Sequence, residues 1–235
     1  MRLSESLKRA PSSPIIAEVK AHSPELGDLL RGRDPVEIAK AYERAGAPAI
    51  SYVTEPRWYG GSFEVFKEIC ESVSVPVLRK DFIHSEEELE RTAKAGGSAV
   101  LLIARVLRER VLDLARAAHR YGVEPLVEVY ELEELSYLKG YSGLVGINNR
   151  DVLRLEVGGG GVERTVRLAP RVREALRPEL LISESGIRSV ADAEVALKYA
   201  DALLIGTALM LAEDPADALR AFLGVRRDAS QGVRG

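Results

Sequence analysis

The sequence predicts a closed (β/α)8 barrel, and three observations carry that prediction. Eight short apolar runs recur along the 235 residues. They are β-branched and near-continuous, as parallel strands covered on both faces are. Amphipathic stretches alternate with them without a linker or composition break, over a length that suits one barrel. A doubly wound open sheet competes. It needs a polar edge strand, which none of the runs offers, and no GxGxxG follows the first run. The expectation is one TIM-barrel domain over 1–235, with 1–14 a short N-terminal extension and 226–235 a frayed polar tail.

The elements follow in order. IIAEVK, from Ile15, is the first strand, and it sets two opposite charges on one face. DPVEIAKAYERAG, from Asp34, has an aspartate cap, a first-turn proline and a closing glycine. AISYV from Ala49 is the second strand and VPVLRK from Val75 the third, with Cys70 at a helix end between them. SEEELERTAKAGG, from Ser85, opens on a serine cap with Glu88 three residues on. SAVLLIA from Ser98 is the fourth strand, with a helix over Val106 to Gly122. PLVEVY from Pro125 is the fifth, with a helix from Glu131. LVGIN from Leu144 is the sixth, and Gly158–Gly161 reads as a flexible loop lacking the GK[ST] of a P-loop. The next helix is expected from about Pro170, because proline disrupts helix interiors. ELLISE from Glu179 with a helix from Ser189, and DALLIG from Asp201 with a helix from Asp214, complete the eight units.

Composition narrows the function. Hydrophobic residues at 46% and charged residues at 29% are globular, with material for a core. A net charge of -3 argues against a nucleic-acid partner. The single Cys70 rules out an intrachain disulfide. His22, His84 and His119 lack metal-ligand spacing, so no metal is expected, and His22 is expected on a loop surface. MRLSESLKRAPSS has no apolar signal core, and no uncharged run reaches membrane-spanning length; a soluble, cytoplasmic chain is expected.

Ring closure gives the strand-end charges a common address. Glu18, Lys20, Lys80, Glu128, Asn148, Arg150 and Glu184 all fall at the C-terminal face, where barrel enzymes carry out chemistry. Singly, each marks a strand leaving the core. As a set they form either a structural ion-pair ring or a site for a ligand of matching charge. Burying unpaired charges costs roughly several kcal/mol per group, which favours the ligand. SESGI and IGTALM each place a glycine where a helix is expected to begin. Backbone amides at Gly186, Gly206 and Thr207, with the Ser185 and Thr207 hydroxyls, would cradle an anion where barrels bind phosphate. Ser23, in KAHSPELGD, is in reach of the same anion. Trp58, Tyr59 and Phe82 either stack on a flat ring or cap the rim.

AEVKAHSP, SYVTEPRWYGGS, VPVLRKDFI, LVEVY, VGINNRD, ISESGI and DALLIGTALM occur in order from about residue 15 to 215. Through them the chain resembles the indole-3-glycerol phosphate synthase family, most specifically in VLRKDF and GINNRD. The resemblance implies 1-(o-carboxyphenylamino)-1-deoxyribulose 5-phosphate as substrate, ring closure with loss of carbon dioxide and water, and no cofactor. It implies catalytic roles for Glu18 and Lys20, for Lys80 as general acid, for Glu128 in proton transfer and for Asn148. It also marks Arg150, Glu184, Ser185, Gly186, Ser23 and Gly206 as site residues. Tyr59 and Phe82 would then flank the anthranilate ring, and Thr207 replaces a frequent serine. The chain departs from the family at Ala21, where a second basic residue is frequent, and in its glycine-rich loop. Only fourteen residues precede the first strand, enough for at most a short turn of helix, where relatives carry a longer cover for the mouth. The partner is then a phosphorylated small molecule with a carboxylate. A monomer or weak homodimer is expected, and a tryptophan-pathway partner subunit is compatible with the family. Two rival readings stand beside this one. An isomerase of phosphoribosyl intermediates would rely on a cysteine–aspartate or aspartate pair, whereas Cys70 lies away from the mouth and Asp81 is expected to point outward. The other is a non-catalytic ligand-binding barrel.

Overall fold

The computed structural model describes residues 1–158 and 160–225. The expected frayed tail from Arg226, and Gly159 of the glycine run, lie outside the described residues. Eight parallel strands close into a barrel: β1 (Ile15–Val19), β2 (Ala49–Val53), β3 (Val77–Lys80), β4 (Ala99–Ile103), β5 (Glu124–Val129), β6 (Leu144–Asn148), β7 (Leu180–Glu184) and β8 (Ala202–Ile205). Neighbours in sequence are neighbours in space, and β8 pairs with β1. No helix among the described residues is long and apolar enough to cross a membrane.

The period of two along each strand sorts side chains into an outer and an inner set. Ile15, Ala17 and Val19 face the helices, in one cluster with Ile38, Tyr42 and Leu219. Ile16 faces inward with Leu78, Leu101, Leu126, Ile182 and Leu204. The lower barrel interior is thus a packed apolar plug. Continuing the same inward register upward brings Glu18, Lys80, Glu128, Asn148 and Glu184 to the C-terminal end.

Local rules explain many boundaries. Asp34 accepts from the amides of Val36 and Glu37, and Gly46 ends the helix Pro35–Ala45 with a left-handed φ of 100°. Several expectations need correction. Leu3–Arg9 is a seven-residue helix, longer than a single turn. Its Leu3 and Leu7 join the inner cluster, so it closes the bottom of the barrel. Ser85 makes no side-chain cap; Glu88 instead accepts from the His84 amide at 2.8 Å. The span from Val106 breaks into a turn of helix (Ala104–Leu107), a 3-10 segment (Arg108–Arg110) and the helix Val111–Arg120. The segment after β5 is 3-10 over Leu132–Leu138. The helix expected from Pro170 runs from Glu163 to Leu176 with the proline inside. An interior proline costs about 3 kcal/mol. Burial of Leu168, Ala169, Val172 and Leu176 along one face offsets it, and Asn149 Oδ1 accepts from the Thr165 amide at 2.9 Å in the first turn.

Candidate active site

Four carboxylates and two ammonium groups meet above the apolar plug, all of them buried: Glu18, Glu128, Glu156 and Glu184 with Lys20 and Lys80. Lys80 Nζ lies 3.4 Å from Glu18, 3.7 Å from Glu156 and 3.9 Å from Glu184. Lys20 Nζ lies 3.7 Å from both Glu18 and Glu156. Asn148 Nδ2 donates to Glu128 at 3.0 Å and to Glu156 at 3.3 Å. Ser185 Oγ donates to Glu156 at 3.0 Å. Two glycines make room for this set. A Cβ on Gly146 would collide with the Glu184 carboxylate, and one on Gly206 with that of Glu18.

The cluster is not a closed structural ring. Glu18 Oε2, Glu128 Oε1 and both Glu184 oxygens accept no hydrogen bond from any described residue. Buried polar atoms normally find partners, and orphaned ones mark functional strain or a ligand position.

Proximity separates the charge states. Burial pushes the Glu128 carboxyl well above its usual range, and Glu184 repels it further, with Lys80 opposing. Burial likewise raises Glu184, to about 7, despite the neighbouring Lys80, with Glu18 and Glu156 adding to the rise. Burial would also raise Glu156, but Lys80, Lys20 and the hydrogen bonds from Ser185 and Asn148 outweigh it and hold the group down at about 2. Burial works against the Lys80 ammonium, yet the surrounding carboxylates, led by Glu18, raise its pKa well above the ordinary lysine value. The mouth therefore holds a fixed cation at Lys80, a fixed anion at Glu156, a carboxyl at Glu184 able to carry a proton near neutrality, and one at Glu128 whose burial favours the protonated form.

The other nominated residues take varied positions. Tyr59 is buried, with its ring centroid 5.8 Å from Lys20 Nζ. Phe82 lines the cleft and meets Trp58 edge-on, centroids 6.4 Å apart. Arg150 Nη1 reaches the Glu156 carbonyl at 3.2 Å and Glu25 at 3.4 Å. Ser23 is buried in a two-residue antiparallel ribbon, paired with Gly27. His22 is less free than a surface loop residue: its amide donates to Tyr59 O, and its Nδ1 lies 2.9 Å from Trp58 O, tying the first two loops together. Asp81 accepts from Arg79 at 3.0 Å and from Thr54 at 2.5 Å.

The expectation that SESGI opens a helix is corrected: Ser185 and Gly186 stand in left-handed turn geometry, and the helix starts at Val190 behind a Ser189 cap. The IGTALM reading holds in part, since Gly206 does precede a helix, the five-residue Thr207–Leu211. Thr207 is half-buried there.

Glu156 escaped sequence reasoning because it belongs to no strand and no register. Its one signal is an acidic residue between Leu155 and Val157, just past GINNRD. Gly146, in mid-strand, gave none. Among the described residues no cluster of three or more His, Cys, Asp or Glu has metal-holding geometry. A cavity of about 480 Å³ lies at the opposite end of the barrel, beside Arg2, Glu124, Tyr141 and Glu179, far from these charges.

The family model for indole-3-glycerol phosphate synthase matches residues 1–222. A protein of that name from Pyrococcus abyssi is 51% identical over 222 residues, covering 94% of this chain and 96% of its own length. One from Thermococcus kodakarensis is 49% identical, covering 95% and 97%. The tryptophan biosynthesis protein TrpCD of Archaeoglobus fulgidus is 43% identical over 98% of this chain, which spans 42% of that longer protein. The solved tryptophan synthase subunit alpha of Legionella pneumophila shares the fold, with a TM-score of 0.66 at 15% identity over 96% of this chain and 95% of that one. With a match that runs through every barrel strand and every charged group at the mouth, the chain belongs to the indole-3-glycerol phosphate synthase family.

Proposed function

We propose that the barrel mouth converts 1-(o-carboxyphenylamino)-1-deoxyribulose 5-phosphate to indole-3-glycerol phosphate, using side chains alone as acids, bases and charge partners. The observation that carries this reading is the fixed Lys80 ammonium among carboxyls that can exchange protons. In the first step the aryl carbon bearing the carboxylate attacks the ketone carbon. A carbon–carbon bond forms and the ketone oxygen becomes an alkoxide. Lys80 donates a proton to that alkoxide, because a cation aimed at a developing anion lowers the barrier. The carboxylate then leaves as carbon dioxide, and its bonding pair restores the aromatic ring. Lys20 and Arg150 hold that carboxylate beforehand. In the last step the hydroxyl departs as water with a proton from Glu128, and a base removes a proton from the adjacent carbon. Over the sequence one proton is consumed, because the ketone oxygen leaves as water carrying two donated protons while the adjacent carbon returns only one.

Glu18 orients both lysines, and Asn148 fixes Glu128 through its amide. Each step is a carbon–carbon bond formation, a bond cleavage or a proton transfer, so the chemistry asks for no cofactor. The phosphate is assigned to the rim carrying Ser23, Ser185, Gly186, Gly206 and Thr207, and the anthranilate ring to the wall of Tyr59 and Phe82. The test is turnover of the carboxyphenylamino ribulose phosphate by purified protein, followed by indole fluorescence. Product formation at catalytic enzyme concentration supports the proposal; tight binding without product would favour a non-catalytic barrel.

A further inference from the structure

One carboxylate in the mouth comes from no strand. Glu156 enters from the loop after β6 with a φ of 59°, directly after Leu155 at 52°. Left-handed backbone costs a non-glycine residue about 1–2 kcal/mol, so two in succession persist only where contacts fix them. The Glu156 amide donates to Asp151 O at 2.9 Å, and the remaining contacts are with nominated site residues: Lys20, Lys80, Asn148 and Ser185 on the side chain, and Arg150 on the carbonyl.

With Glu156 seated, the cleft lined by Glu18, Lys20, Tyr59, Lys80, Phe82 and Glu128 has a volume of about 30 Å³. That is roughly the space of one water, where small-molecule sites hold about 300 Å³ or more. Both lysines are already paired with Glu18 and Glu156. An arriving carboxylate would meet a filled space, saturated cations and a like charge.

We propose that Glu156 stands in for the substrate's carboxylate. It holds Lys20 and Lys80 in position, withdraws when the substrate's carboxylate takes over Lys20, and returns once carbon dioxide has left. This rests on the reaction proposed above. It makes Glu156 a positioning residue that selects for ring substrates bearing a carboxylate. Its withdrawal removes one carboxylate partner from Lys80 as that group is needed to protonate the alkoxide. Its return displaces a product that has no carboxylate to compete with it.

The test compares two non-reacting ligands, the ribitol analogue of the substrate and the same molecule lacking the ring carboxylate, on the wild-type chain and on Glu156→Gln. Removing the competing charge should tighten the carboxylate-bearing ligand by about tenfold or more and leave the other within about twofold. Equal shifts for both ligands, or weaker binding of the carboxylate-bearing one, would overturn the proposal. Hydrogen exchange on the wild-type chain serves as a second measurement, independent of whether the variant folds. The amides of Glu156 and Val157, bonded to Asp151 O and Arg154 O, should exchange faster only with the carboxylate-bearing ligand. Slowing by both ligands would contradict withdrawal. A wild-type chain that fails to turn over substrate would defeat the proposed reaction instead, so the two failures are distinct.

Discussion

Two glutamates on β5, four residues apart and both buried, show what separates the ends of this barrel. Glu124, at the bottom, has both oxygens engaged, by Arg2 at 2.6 Å and by the Ser4 amide at 2.8 Å. Glu128, at the mouth, has one oxygen on Asn148 and one with no donor among the described residues. The bottom charge is a finished structural joint that fastens the N-terminal helix beneath the barrel. The mouth charges are unfinished. An unsatisfied buried polar atom costs about 1–3 kcal/mol, and a chain that keeps several in one place has set stability against chemistry. Cavity size points the other way, since the roomy pocket is beside Glu124. Hydrogen-bond accounting therefore locates this site better than volume does.

Matched substitutions at the two ends give the largest contrast. Lys80→Ala should lower kcat by roughly 10³-fold while circular dichroism stays native. Glu124→Gln should leave activity per folded molecule unchanged and cost about 1 kcal/mol in denaturant melts, a modest figure because Arg2 is largely exposed. A Lys80→Ala chain that lost stability but not turnover would reverse the comparison.

A subtler break is Gly146→Ala. Its methyl would push the Glu184 carboxylate out of place. Turnover should fall roughly 10- to 100-fold, since small misplacements are costly in a preorganised site, and the melting transition should move little.

The smallest effect sharpens the electrostatics. Glu184 titrates at about 7 in the folded chain against 4.5 ordinarily. Between those values the folded state binds more protons than the unfolded one, so stability is fully present below the lower value and declines as pH rises through the upper. Glu184→Gln should flatten that decline, a difference on the order of 1–2 kcal/mol between denaturant midpoints at about pH 5 and about pH 8. An unchanged slope would show that another group carries the proton.

Strand positions were legible because a period of two, repeated eight times, survives local noise: IIAEVK already set Glu18 and Lys20 on one face, and the ends of the third, fifth, sixth and seventh strands set Lys80, Glu128, Asn148 and Glu184 at the same address. Pro170 misled because local propensity favours a break there, while the buried face of Leu168, Val172 and Leu176 is a long-range term. The helix expected at SESGI failed similarly; a small residue and a glycine fit a turn as well as a cap.

The sequence by itself determined the barrel, the face on which the charges gather and the family, since each depends on periodicity or on contiguous motifs. Tertiary structure alone decided that Glu156 sits between Lys20 and Lys80, that Gly146 and Gly206 make room for carboxylates, and that Glu124 is satisfied where Glu128 is not. These are facts about groups distant in sequence, or in loops without register, and a chain read one residue at a time holds no distance between them.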